Sequence, residues 1–187
     1  MIGWTTGAGL DRRRGYSITG TSLFGPLNRD GAIGNNYHDI ALSNMGSRIM
    51  YCYMDSVELD TDLRRYNLNG ALIGGEVNIN INSVPGKNLN NILDCTAINS
   101  TRGVIFEYDS GADNDTTFHI INEVGTDLLG AIDIDAVAGN NAQVAVTSLD
   151  NDKFVLAWFN SNSTSQDIRM AIRYSNNTII LNPTIIE

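Results

Sequence analysis

The feature that most restricts what this chain can fold into is an internal period. Short apolar runs end in an aromatic residue at Trp4, Tyr53, Tyr108 and Trp158, at intervals of 49, 55 and 50 residues. An acid follows each of the last three within seven to nine residues, at Asp62, Asp115 and Asp167. A turn and a short apolar strand come next, in Gly20–Gly25, Gly70–Gly74, Gly125–Gly130 and Asn177–Asn182. Each complete unit also opens on a further strand before the aromatic one, at His38–Ser43, Ile92–Ile98 and Gln143–Leu149. Units therefore run at about 1–34, 35–82, 83–138 and 139–187.

Alternation argues for strands. In DIRMAIRY, Arg169, Ala171 and Arg173 fall on one side and Ile168, Met170 and Ile172 on the other. No stretch sustains helical spacing. Four antiparallel strands per unit, joined by hairpin-length turns at a period near 50 residues, are expected of β-propeller blades. A separate β-sandwich per unit would need a longer repeat. The expectation is an all-β, propeller-like array of three complete units and one incomplete N-terminal unit.

The repeat, read as strand, Asn/Asp-Gly-type turn, apolar strand ending in Trp, loop, Asp-Ile strand, Gly turn and short strand, resembles the bacterial and viral β-propeller repeats over nearly the whole chain. That resemblance implies a fold and little chemistry. Such repeats occur in virion-associated proteins and in secreted bacterial surface proteins, so it implies a virion or extracellular setting and a role in recognition or assembly.

The first unit begins at its aromatic strand, so its opening strand is missing. An open arc of blades would expose an apolar face at each end. Either the chain is part of a longer propeller or the arc closes against another chain. Self-association or a partner chain that completes the ring is the favoured expectation, two such arcs giving seven to eight blades.

Composition narrows the partners. A formal charge of −9 repels a nucleic-acid backbone. No run approaches the roughly 18 apolar residues of a membrane helix, and the first ten residues lack the pattern of a secretion signal. Nucleic acid and membrane are thus not expected as partners. The two cysteines, Cys52 and Cys95, sit in apolar runs and read as small buried hydrophobes.

Catalytic signatures are sparse, and the chain reads as non-enzymatic. His38 and His119 lie in different units and are expected as strand histidines at blade edges; no nucleophile elbow or phosphate-cradling loop occurs. Asp109, Asp113 and Asp115 place three acids within seven residues, a spacing of hard oxygen ligands that suits Ca²⁺. The competing reading gives Asp62, Asp115 and Asp167 a shared structural job as acceptors for loop N–H groups. No other cofactor is implied. Asp113-Asn-Asp-Thr-Thr-Phe118 approaches the Asp-box of sialidase-type propellers but misses its Gly, and the alternative reading is a fragment of a sialidase-like, glycoside-processing propeller enzyme. Arg12, Arg13 and Arg14 are placed in a loop where units two and three carry acids, suited to an anion or an acidic partner surface. Tyr16 and Tyr37, with Tyr51, Tyr66 and Tyr174, are rings that stack on a glycan if exposed and pack between blades if not. A glycan or a protein is the expected ligand.

Overall fold

The computed structural model describes residues 2–5, 11–16, 22–28, 40–55, 60–75, 77–78, 93–108, 116–135, 140–150, 152–161 and 166–186, the first three strands by their backbone alone. Four antiparallel sheets follow one another along the chain. The first is β1 (Ile2–Thr5), β2 (Asp11–Tyr16) and β3 (Ser22–Asn28). The second is β4 (Ile40–Met45), β5 (Arg48–Asp55), β6 (Asp60–Asn67) and β7 (Val77–Asn78). The third is β8 (Leu93–Ala97), β9 (Arg102–Tyr108), β10 (Thr116–Asn122) and β11 (Ile132–Asp135). The fourth is β12 (Asn140–Asp150), β13 (Lys153–Ser161), β14 (Gln166–Tyr174) and β15 (Ile179–Ile185). In every sheet strand order equals chain order. No described helix is long and apolar enough to cross a membrane.

One turn recurs three times between the third and fourth strands. The N–H of Asn67, Asn122 and Tyr174 donates to the carbonyl of Ala71, Thr126 and Thr178, at 3.0, 2.9 and 2.9 Å. The fourth residue of each turn has positive φ: Gly70 at 87°, Gly125 at 82° and Asn177 at 67°. That conformation admits glycine freely and asparagine at small cost. These turns fix the true register between units.

Counting back from the turns, Tyr53, Glu107 and Trp158 occupy one position, paired with Asp62, Thr117 and Arg169. The aromatic anchor of the third unit is therefore off by one: Glu107, not Tyr108, stands where Tyr53 and Trp158 do. The acid anchor is corrected too. Asp62 is level with Arg169, whereas Asp60 is level with Asp167, one facing Asp55 and the other Asn160. The first sheet repeats the fourth, since Trp4 pairs with Arg12 as Trp158 pairs with Arg169. Its register shift at Gly15/Tyr16 matches the one at Ile172/Arg173.

Period-two alternation gives each sheet a leading face toward the sheet before it and a trailing face toward the one after. The trailing side of the second sheet (Met50, Cys52, Leu63) meets the leading side of the third (Cys95, Ile105, Ile121) in one buried cluster. The trailing side of the third (Val104, Phe106, Phe118, Ile120) meets the leading side of the fourth (Phe154, Leu156, Trp158, Ala171) in another. Opening strands lie side by side, β8 packing between β4 and β12. Ala97 N donates to Ser43 Oγ and Val146 N to Asp94 Oδ2, at 2.5 and 2.9 Å. This serial face-to-face stacking of meander sheets is a propeller-like arrangement.

Candidate functional site

The seam between the second and third sheets holds the most concentrated polar chemistry among the described residues. β10 presents His119 on the leading face, where the fourth sheet has Ala171, and β9 presents Glu107 beside it. The turn after β10 brings Asp127 alongside through an isolated bridge between Ile121 and Asp127. His119 Nδ1 lies 2.7 Å from Asp127 Oδ2, and Nε2 lies 3.3 Å from Glu107 Oε1. From the second sheet Thr61 Oγ1 donates to Glu107 Oε2. His119 and Glu107 are each 2% exposed.

Burial by itself would depress the histidine pKa. The hydrogen bonds to Asp127 and Glu107, and their charges, override it and lift the value to about 9. At neutral pH the ring is therefore an imidazolium that donates to both carboxylates. Burial pushes the Asp127 carboxyl upward, but the His119 hydrogen bond and the N–H groups of Leu129 and Gly130 hold it below its ordinary value. The cluster is a charge-assisted clasp between strands and across the seam. His119 is sealed within the seam, while Asp127 keeps 20% of its side chain exposed.

Near the clasp, Cys52 and Cys95 share one apolar cluster as free thiols. Burial raises the Cys52 pKa well above that of an ordinary thiol, and the hydrogen bond with Cys95 adds to the shift. Both behave as small core residues.

Of the expected site residues, Arg12, Arg13, Arg14 and Tyr16 are described by their backbone, all in β2. Arg12, Arg13 and Arg14 are not in a loop; they form the middle of β2, paired with Trp4, Gly3 and Ile2. Tyr16 closes the same strand. The side chains of these residues lie outside the described part, as do Tyr37, His38, Asp109, Asp113 and Asp115 altogether. Among the described residues no group of three His, Cys, Asp or Glu side chains is disposed to hold a metal. Tyr51 and Tyr66 are buried with Tyr53 on the leading face of the second sheet, Tyr51 standing 5.3 Å from Tyr53 and 6.4 Å from Tyr66 by ring centroids. Tyr174 is exposed, with Lys153 Nζ 5.7 Å from its ring centre.

His119 is not at a blade edge. β10 lies between β9 and β11, and the ring is sealed in the seam. The signal available beforehand was an acid inside the apolar run GVIFEY and a histidine inside TTFHII. Two ionisable groups at buried alternation positions must find each other or a partner.

Comparison with known proteins gives a fold and no lineage. No protein family matches the chain, and no curated protein matches it. Among solved structures, a β-propeller chain of a nidogen/laminin complex superposes with a TM-score of 0.54 at 14% identity. The match covers 96% of this chain and 59% of that one, so this chain spans about three fifths of its length. At that identity the likeness concerns the fold alone.

Proposed function

We propose that the chain is a non-enzymatic, propeller-type binding module, a rigid stack of blades that presents surface to a protein partner. The sequence resemblance implies this role for virion-associated and cell-surface assembly proteins, and the fold neighbour is itself part of a protein complex. The observation that carries the reading is the position of His119, Glu107 and Asp127. Among the described residues this is the acid–base set best equipped for hydrolysis, and its His119 and Glu107 are shut between two sheets, each 2% exposed. Its hydrogen bonds join residues of the fold to one another, Thr61 to Glu107 and His119 to Glu107 and Asp127. A glycosidase instead requires two carboxylates about 5–10 Å apart across an open cleft.

Incubation with a panel of chromogenic glycosides, sialosides included, tests this. No turnover is expected. Hydrolysis that disappears in Glu107→Gln, in a variant that still melts cooperatively, would overturn the reading.

A further inference from the structure

The seams between the second and third and between the third and fourth sheets share a construction that the fourth sheet repeats on a face that no described sheet seals. At the start of β5 and β9, Arg48 and Arg102 hold the same register position. Each reaches forward to the turn of the next sheet: Arg48 Nη1 donates to Glu123 O at 2.5 Å, and Arg102 Nη1 to Ser175 O at 3.1 Å. Glu123 and Ser175 are themselves equivalent, each directly following the residue that opens its turn. Behind each arginine the trailing face is apolar and buried by the sheet that follows.

In the fourth sheet Lys153 holds the arginine position. It pairs instead with Asp150 at 2.8 Å on its own hairpin. Behind it Val155, Ala157, Phe159, Ile168, Met170 and Ile172 form the trailing face, registered across β13 and β14 as Val155 with Ile172, Ala157 with Met170 and Phe159 with Ile168. None of the six is buried, and Ile168 is 38% exposed. On the opening strand Thr147, opposite Val155, occupies the register of Ser43, opposite Met50, whose hydroxyl accepts the next sheet's Ala97 N–H. Thr147 is exposed. Cation and apolar field thus stand where two seams use them, and the hydroxyl where one does.

We propose that this trailing face docks the leading side of the first sheet of a second copy of the chain. The inference rests on reading the chain as a blade module, and it names that module's partner. The occupant follows from register. β1 carries Ile2 and Trp4 at the positions that Leu156 and Trp158 hold in β13, the two residues with which the fourth sheet fills its seam with the third. Ile168 is exposed and the other five are only partly buried, so among the described residues no sheet seals this face as the third and fourth sheets seal those before them. The contact is head-to-tail, so two copies satisfy each other at both ends or continue as an open series.

Sedimentation of the full chain over about 1–100 µM, a range that brackets micromolar self-association, tests the proposal. The wild type is expected to run as a dimer or larger. Ile172→Glu, which puts a charge in the apolar field, is expected to weaken association at least about tenfold while its melt stays cooperative; if it unfolds, Met170→Lys takes its place. Mixing Ile172→Glu with Trp4→Glu restores one intact seam and is expected to give a one-to-one dimer that neither variant forms alone. A wild-type monomer throughout, association indifferent to the trailing-face variant, or a mixture that stays monomeric overturns the proposal. None of these results touches the non-enzymatic reading, which falls only on glycoside turnover.

Discussion

The seam between the second and third sheets and the seam between the third and fourth occupy equivalent positions and are filled by opposite chemistry. Between the third and fourth sheets the contact is aromatic: Phe106 meets Trp158 edge-on at 6.1 Å, and Phe118 meets Phe154 at 5.7 Å. Arg173 adds a guanidinium 5.6 Å from the Phe118 ring centre. Between the second and third sheets the same register carries Glu107 in place of Trp158, His119 in place of Ala171 and Gly103 in place of Phe154. Methionines, thiols and an ionic clasp fill what rings fill next door. The backbone repeat therefore sets where a seam lies, and side chains solve it independently each time. A ring seam draws on area and edge-to-face contact, each aromatic pair adding about 0.5–1.5 kcal/mol beyond burial. An ionic seam holds only while every partner is present.

The largest effect should come from the aromatic seam. Trp158→Ala removes a ring that is 2% exposed and is expected to cost about 3–5 kcal/mol, read by denaturant unfolding. Nearly as large, His119→Leu leaves Glu107 and Asp127 without their shared cation, for a loss of roughly 3 kcal/mol. The seams part company in the double change. Glu107→Met with His119→Leu replaces the ionic contact by apolar volume and should recover most of the loss, while no second substitution next to Trp158→Ala restores the missing ring. If the double variant is no better than His119→Leu, the clasp is not the weak link that the comparison makes it.

Acidity distinguishes the seams next. The folded pKa of His119 is raised to about 9 from an unfolded value near 6.5. Its contribution is therefore fully present below about pH 6.5 and is lost as pH rises through about 9. Asp127 is shifted down, so its share is present at neutral pH and fades as pH falls through its lowered folded pKa. The melting temperature should decline between about pH 7 and pH 10 in the wild type and much less in Glu107→Met with His119→Leu. Equal declines in both would remove the clasp as the cause.

Glycines give the smaller contrasts. At Gly125 the backbone has φ of 82°, and an added Cβ would sit 3.2–3.3 Å from Val77, Arg65 and Leu63 of the second sheet. Gly125→Ala should cost about 1–3 kcal/mol. At Gly103 an added Cβ would meet only the flexible ends of Met50 and Met45, at 2.6–2.7 Å. Gly103→Ala should cost about 1 kcal/mol, a shift of roughly 2–4 °C in Tm for a chain of this size.

Much of this architecture was readable because it is written in turns and alternation. Gly70, Gly125 and Asn177 announce a left-handed position that few residues tolerate, and DIRMAIRY announces a strand with two unlike faces. Register was harder. Aligning Tyr108 with Tyr53 and Trp158 matched residue type and slipped one place, which exchanges the faces of a strand and hides Glu107 as a buried residue. The clasp itself was not legible, since nothing local to His119 names Asp127 or Glu107 as partners. Arg12, Arg13 and Arg14 misled for the converse reason: composition suggested a loop, while pairing with Trp4, Gly3 and Ile2 makes them a strand.

The forward reach of Arg48 to Glu123 and of Arg102 to Ser175 has a consequence for how such a chain lengthens. The third unit bears the donor Arg102 on one flank and, in its own turn, the Glu123 carbonyl that the preceding unit's Arg48 requires. Tandem duplication of one unit would therefore create a neighbour already fitted to receive it, with no simultaneous change elsewhere. Side-chain filling can diverge afterwards, one joint at a time, as the ring seam and the clasp have done.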